Sequence, residues 1–160
     1  HPDLVLTPKA ETTAEALSAV GYETVFFGVN SWLVGTGAGL SQGYDHWDAR
    51  PGDSGDKLIR DVSSWFEERS STAPLFLHMH LFEPHCKYTP PRQVMGHFDE
   101  DGASPGSGSL TLEQYQSMGD CYRLQTDQGD PELDLEVYLQ RYDEELLATD
   151  RLIERAMVLL

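Results

Sequence analysis

Basic residues are scarce in this sequence. Eight arginines and only three lysines (Lys9, Lys57 and Lys87) stand against 27 acids, leaving a net charge of −16. A field of that sign repels phosphate backbones and anionic lipid heads, so neither nucleic acid nor a membrane surface is an expected partner. Long apolar runs are missing as well. The best, 25–27 and 75–77, are strand length, against the roughly 20 residues a membrane-spanning helix needs. No basic n-region with a cleavable apolar stretch opens the chain, so no signal peptide is read and the cytoplasm is the favoured compartment. Cysteine is nearly absent. Cys86 and Cys121 make neither a disulfide framework nor a C-x-x-C zinc pair, and two reduced thiols are the expectation. The acid excess reads as adaptation to high salt or as an acidic piece of a less acidic whole.

What is present is a folding chain. Hydrophobic residues are 39% of 160, which is enough to bury the core of about one domain. Thr12 or Thr13 can cap a first helix carried by Ala14, Ala16, Leu17, Ala19 and Val20, with Glu15 near its positive end and Gly21 as its stop. Residues 23–27 form a short continuous run of β-formers typical of a buried parallel strand. Residues 29–55, rich in glycine from Gly35 to Gly55, read as loop, with Asp45 and Asp48 in capping or turn roles.

A second helix is predicted over 56–69, because Leu58, Ile59, Val62, Trp65 and Phe66 share one face. A second strand over 75–82 completes a βαβ unit and implies a parallel pair. The stretch 99–109 reads as an exposed loop, and one helix is possible over 111–124. Asp130-Pro131 predicts a cap for a long C-terminal helix over 131–160. Its stripe of Leu135, Tyr138, Leu139, Tyr142, Leu146, Leu152, Ile153 and Leu160 is expected to be core. The expected organisation is a βαβ core over about 12–88, a loop or insertion over about 89–130, and the long helix. Two strands are few for an α/β sheet. The chain also begins at His1 and ends on apolar 157–160, so it reads as the middle of a larger fold.

Chemistry concentrates at His78-Met79-His80-Leu81-Phe82-Glu83-Pro84-His85. His78 and His80 sit two apart on a strand and share a face, where hydrogen-bonded core histidines are the ordinary outcome. His85 lies past Pro84, beyond the strand's carboxyl end, where open parallel sheets bind ligands. A three-histidine metal site is poorly supported, because no aspartate stands before His78 at the spacing such sites use.

The run Pro74–His85 followed by Tyr88-Thr89-Pro90-Pro91 resembles the central strand and P-H-x-x-Y-x-P-P turn of the sulfatase family. Thr13-Ala14-Glu15-Ala16-Leu17 with Gly21-Tyr22-Glu23-Thr24 is similar to that family's T-L-A-E-x-L…G-Y-x-T segment. Gly43-Tyr44-Asp45-His46-Trp47 is similar to its G-F-D-x-W/F loop, and Tyr142-Asp143-Glu144-Glu145-Leu146 with Asp150-Arg151-Leu152-Ile153 to its Y-D-x-E-I…D-x-x-I helix. The four segments come in family order and span nearly the whole chain.

The resemblance implies an α/β fold, part of an alkaline-phosphatase-like sandwich. It implies hydrolysis of organic sulfate esters by a formylglycine nucleophile with a divalent metal, usually Ca2+. Neither cysteine matches the C-x-P-S-R nucleophile motif, and the metal acids would fall before residue 1 and after Leu160, so no metal ligand is assigned in this chain. Gly28-Val29-Asn30-Ser31-Trp32 stands where the family has G-K-W-H. The resemblance carries over His85 as the active-site group, a proton or hydrogen-bond donor toward the sulfate or leaving-group oxygen. Asn30 and Lys87 are candidate substrate-binding residues. The expected partners are a small anionic sulfate ester and the remainder of the catalytic domain. Two alternatives stay open: a phosphoryl hydrolase or transferase on the same scaffold, and a non-catalytic domain binding a partner through its acidic helix.

Overall fold

The computed structural model describes residues 5–33, 38–98 and 108–160. The chain divides into two compact units, His1–Phe82 with Val158–Leu160 and Glu83–Met157. The architecture is mixed α/β, with a three-stranded parallel sheet and a long C-terminal helix.

In the first unit, α1 (Thr13–Ser18) starts on a reciprocal cap. Thr12 Oγ1 accepts from the Glu15 amide at 3.1 Å, and Glu15 Oε2 accepts from the Thr12 amide at 2.9 Å. Gly21, at φ +92°, ends the turn that follows it. Strand β1 (Glu23–Gly28) is the middle of the sheet, and Thr24 to Gly28 are all buried. A strand covered on both faces needs a continuous apolar run, and Val25-Phe26-Phe27 supplies it. Its parallel neighbour β3 (Leu75–His80) sets Leu77 beside Val25 and His80 beside Gly28. Helix α2 (Gly55–Glu68) is capped by the Ser54 hydroxyl and buries Leu58, Ile59 and Val62. Burying each such side chain contributes about 1.5–3 kcal/mol.

The predicted parallel pair is thus present, and the sheet also holds a strand the sequence reading placed in a loop. Strand β2 (His46–Ala49) pairs with β1 on the side away from β3, with Asp48 beside Phe27. Four half-buried residues are too few to show a period. Tertiary contacts make this strand: the Trp47 ring stacks on Phe26 with centroids 3.9 Å apart, and Asp45 locks the chain just before it. The Asp45 carboxylate accepts from the Thr24 amide at 2.9 Å, and the Asp45 amide donates to the Thr24 carbonyl at 2.8 Å. Asp45 therefore does more than cap its own turn. Residues 30–45, beyond the short 3-10 turn Ser31–Leu33, remain loop where described.

In the second unit, α3 (Leu112–Ser117) is shorter than the predicted 111–124. A separate 3-10 turn, Asp120–Tyr122, follows it. Helix α4 (Leu135–Val158) starts at 135, not 131. Pro131 is engaged in an antiparallel bridge with Gln125, and the Asp134 carboxylate, not Asp130, accepts from the first helical turn through the Glu136 amide. Tyr138 anchors the helix start, because its hydroxyl accepts from the Leu124 amide at 3.1 Å and donates to the Glu132 carbonyl at 3.1 Å. The expectation of a uniformly buried apolar stripe is corrected. Tyr138 and Leu152 are buried, but Leu139, Tyr142, Leu146, Ile153 and Leu160 are exposed, while Glu144 and Glu145 are buried. The helix is turned so that two carboxylates meet backbone amides of the preceding loop. Of the predicted loop 99–109, residues 99–107 lie outside the described residues.

Candidate functional site

Four residues separate His85 from the end of β3, and its side chain is exposed on an irregular turn. Its Nδ1 lies 3.0 Å from the Cys86 carbonyl oxygen. A carbonyl only accepts, so Nδ1 carries the proton in this contact and the proton-accepting lone pair belongs to Nε2. The Tyr122 ring flanks the imidazole at a centroid distance of 6.5 Å, and Tyr88 packs against both Tyr122 (6.3 Å) and Tyr142 (5.6 Å). Lys87, two residues on, is exposed on the same turn.

The expectation of two reduced thiols is overturned. Cys86 and Cys121 are joined by a disulfide, with Cα atoms 5.3 Å apart and a sequence separation of 35. Spacing alone could not show this pair. It forms because the 3-10 turn Asp120–Tyr122 returns to the His85 turn.

Two further residues of the second unit went unassigned from sequence. Glu145 accepts from the Thr89 amide at 2.8 Å, and Glu144 accepts from the Gly96 amide. They hold the segment after His85 to α4. The signal was there: adjacent acids in the middle of an apolar stripe, inside the Tyr142–Leu146 motif.

Burial holds the Glu145 carboxyl above the ordinary carboxylate range; the Thr89 amide opposes this and the charge of Glu83 adds to it. A carboxyl raised on folding binds its proton more readily folded than unfolded. Its contribution to stability therefore improves as pH falls from the folded value toward the ordinary one, 4.5, and is least favourable above both. Glu145→Gln keeps an acceptor for Thr89 and removes the buried charge. It should be at least as stable as the parent at pH 7 and lose that margin near pH 4.5. Urea melts at the two pH values check this, and a variant clearly weaker at pH 7 would show that the charge itself holds the loop.

In the first unit, Asn30 is half-buried with Nδ2 3.3 Å from His80 Nε2, so the two side chains orient each other. The Tyr44 hydroxyl lies 2.8 Å from His78 Nδ1. Partial burial holds the His78 imidazole below the usual histidine range, and the nearby His80 adds to this. Both strand histidines thus have hydrogen-bond partners, but neither is a core residue: His80 is half-buried and His78 is exposed on β3.

Compared with models of protein families and with curated proteins, the chain gives no match. Among the described residues, no cluster of three or more His, Cys, Asp or Glu side chains is placed to hold a metal ion. No helix of the described residues is long and apolar enough to cross a membrane.

Proposed function

We propose that this chain is part of a sulfuric ester hydrolase of the alkaline-phosphatase-like sandwich fold, cleaving small anionic sulfate esters. The observation that carries the reading is His85. It stands in a P-H-x-x-Y-x-P-P sequence just after a parallel strand, exposed, with Nδ1 tied to the backbone. A histidine so held presents its Nε2 lone pair to take up a proton, and in the doubly protonated form its Nε2–H can donate to a departing alkoxide or stabilise an anionic oxygen. Lys87, exposed on the same turn, attracts the anion within an otherwise acidic chain. Asn30, in the first unit and oriented by His80, is proposed separately as a donor to an ester oxygen.

The nucleophile and metal that the resemblance implies do not fit the residues present. Both cysteines are consumed in the disulfide, and the described residues offer no ligand cluster. The reading assigns both groups to segments outside residues 1–160. The disulfide also weighs against the cytoplasm favoured from sequence, since such bonds are rare in reducing compartments.

The test is turnover by the longer protein that contains this chain, on 4-nitrophenyl sulfate and on 4-nitrophenyl phosphate, beside residues 1–160 alone. Sulfate hydrolysis by the longer protein only is the expected result. Phosphate hydrolysis alone would transfer the site to phosphoryl chemistry, and no turnover of either would leave an acidic partner-binding domain in its place.

A further inference from the structure

The disulfide sits one residue from the candidate active-site histidine, and its two halves contact that histidine by separate routes. Cys86 supplies the carbonyl on which His85 Nδ1 rests at 3.0 Å, and its Sγ lies 3.3 Å from the same nitrogen. Cys121 lies in the middle of the 3-10 turn Asp120–Tyr122, so it fixes the position of Tyr122, whose ring flanks the imidazole. The far side of the turn is held independently, by Thr89 on Glu145 and by Tyr88 against Tyr142. Only the Cys86–Cys121 bond joins the Tyr122 turn covalently to the residue whose carbonyl sets the tautomer of His85. Both cysteines are half-buried rather than sealed, so a small reductant reaches them.

We propose that Cys86 and Cys121 are positioning residues for His85, and that their disulfide is a redox-sensitive clamp fixing the imidazole's tautomer and orientation. The catalytic consequence rests on the sulfate-ester reading above; the tautomer effect does not. In the reducing step a thiolate of a dithiol attacks one sulfur and the Cys86–Cys121 bond breaks. The dithiol's second thiol then closes a cyclic disulfide, and its two protons end on the two cysteines. With the bond open, the Cys86 carbonyl and the Tyr122 ring move independently, and the proton on His85 redistributes between Nδ1 and Nε2.

The experiment uses the 15N-labelled chain and imidazole nitrogen NMR, with and without dithiothreitol. In the oxidised chain His85 is expected as the Nδ1–H tautomer. Reduction should shift it to a mixture, reoxidation should restore it, and Cys121→Ser should show the mixture without reductant. The signals of His78 and His80, which belong to the first unit, should stay in place. Unchanged His85 signals on reduction overturn the proposal. So does the collective loss of all three histidine signals, because the bond would then hold the fold and not the histidine.

A second arm uses the longer protein. There kcat should fall about tenfold on reduction with little change in KM, and Cys121→Ser should be slow and insensitive to dithiothreitol. A tautomer change in a protein without sulfate turnover would sink the hydrolase reading and leave the clamp standing.

Discussion

Replacing His85 by alanine should lower the turnover of the complete hydrolase by roughly 10² or more, the usual scale for loss of a positioned acid–base group. The fold should survive. His85 is exposed, and surface substitutions usually move stability by about 0.5 kcal/mol or less. The opposite pattern is expected at His80. Its imidazole is half-buried on β3 beside Gly28 and engages the Asn30 amide at 3.3 Å. His80→Ala leaves that amide without this partner and opens space next to β1, a loss of about 1–3 kcal/mol. Its activity should fall in step with its stability. Steady-state kinetics and thermal melts on both variants separate the two roles. Near-normal turnover by His85→Ala would return that histidine to the structure of its turn.

The placement of His78 and His80 on the strand and of His85 beyond it was legible in the sequence because it follows from strand geometry. His78 and His80 alternate with Leu77 and Met79 inside an apolar strand, whereas His85 lies past a proline that ends it. The parallel pairing of β1 with β3 was legible for the same reason: two short β-forming runs flank an amphipathic helix. What sequence could not show depends on contacts between distant residues. β2 is four residues long and exists because Trp47 stacks on Phe26 and Asp45 locks onto Thr24. The start of α4 moved to 135 because Pro131 pairs with Gln125 in a bridge that no local pattern encodes. The exposed side of α4 was misread because periodicity counts apolar residues. It cannot see that buried Glu144 and Glu145 satisfy loop amides. The disulfide is the plainest case, since a sequence separation of 35 says nothing about whether two thiols meet.

Gly43 carries the largest stability effect expected in the first unit. It opens the Gly43–Trp47 motif, and its φ of +86° lies where L side chains rarely sit. The Thr24 hydroxyl donates to its carbonyl at 2.7 Å, so the backbone cannot easily relax to another conformation. A Cβ there would meet the Glu15 amide, would come 2.6 Å from Glu15 Cγ, and would come 3.0 Å from the Ala14 carbonyl carbon. These atoms belong to the capped start of α1, which is fixed by the reciprocal Thr12–Glu15 bonds. Backbone strain of about 1 kcal/mol therefore adds to an overpacking cost of about 1–3 kcal/mol. Gly43→Ala should destabilise by roughly 3 kcal/mol, a loss of about 10 °C or more in melting temperature for a unit of this size. Gly21→Ala and Gly52→Ala are the controls. Both glycines have positive φ, at +92° and +81°, but neither has an atom within 4 Å of the added carbon. Each should cost only the strain, about 1 kcal/mol. Chemical denaturation of the three variants isolates the close approach of the loop to α1. Equal losses at all three positions would mean that backbone conformation alone, and not this contact, demands glycine at position 43.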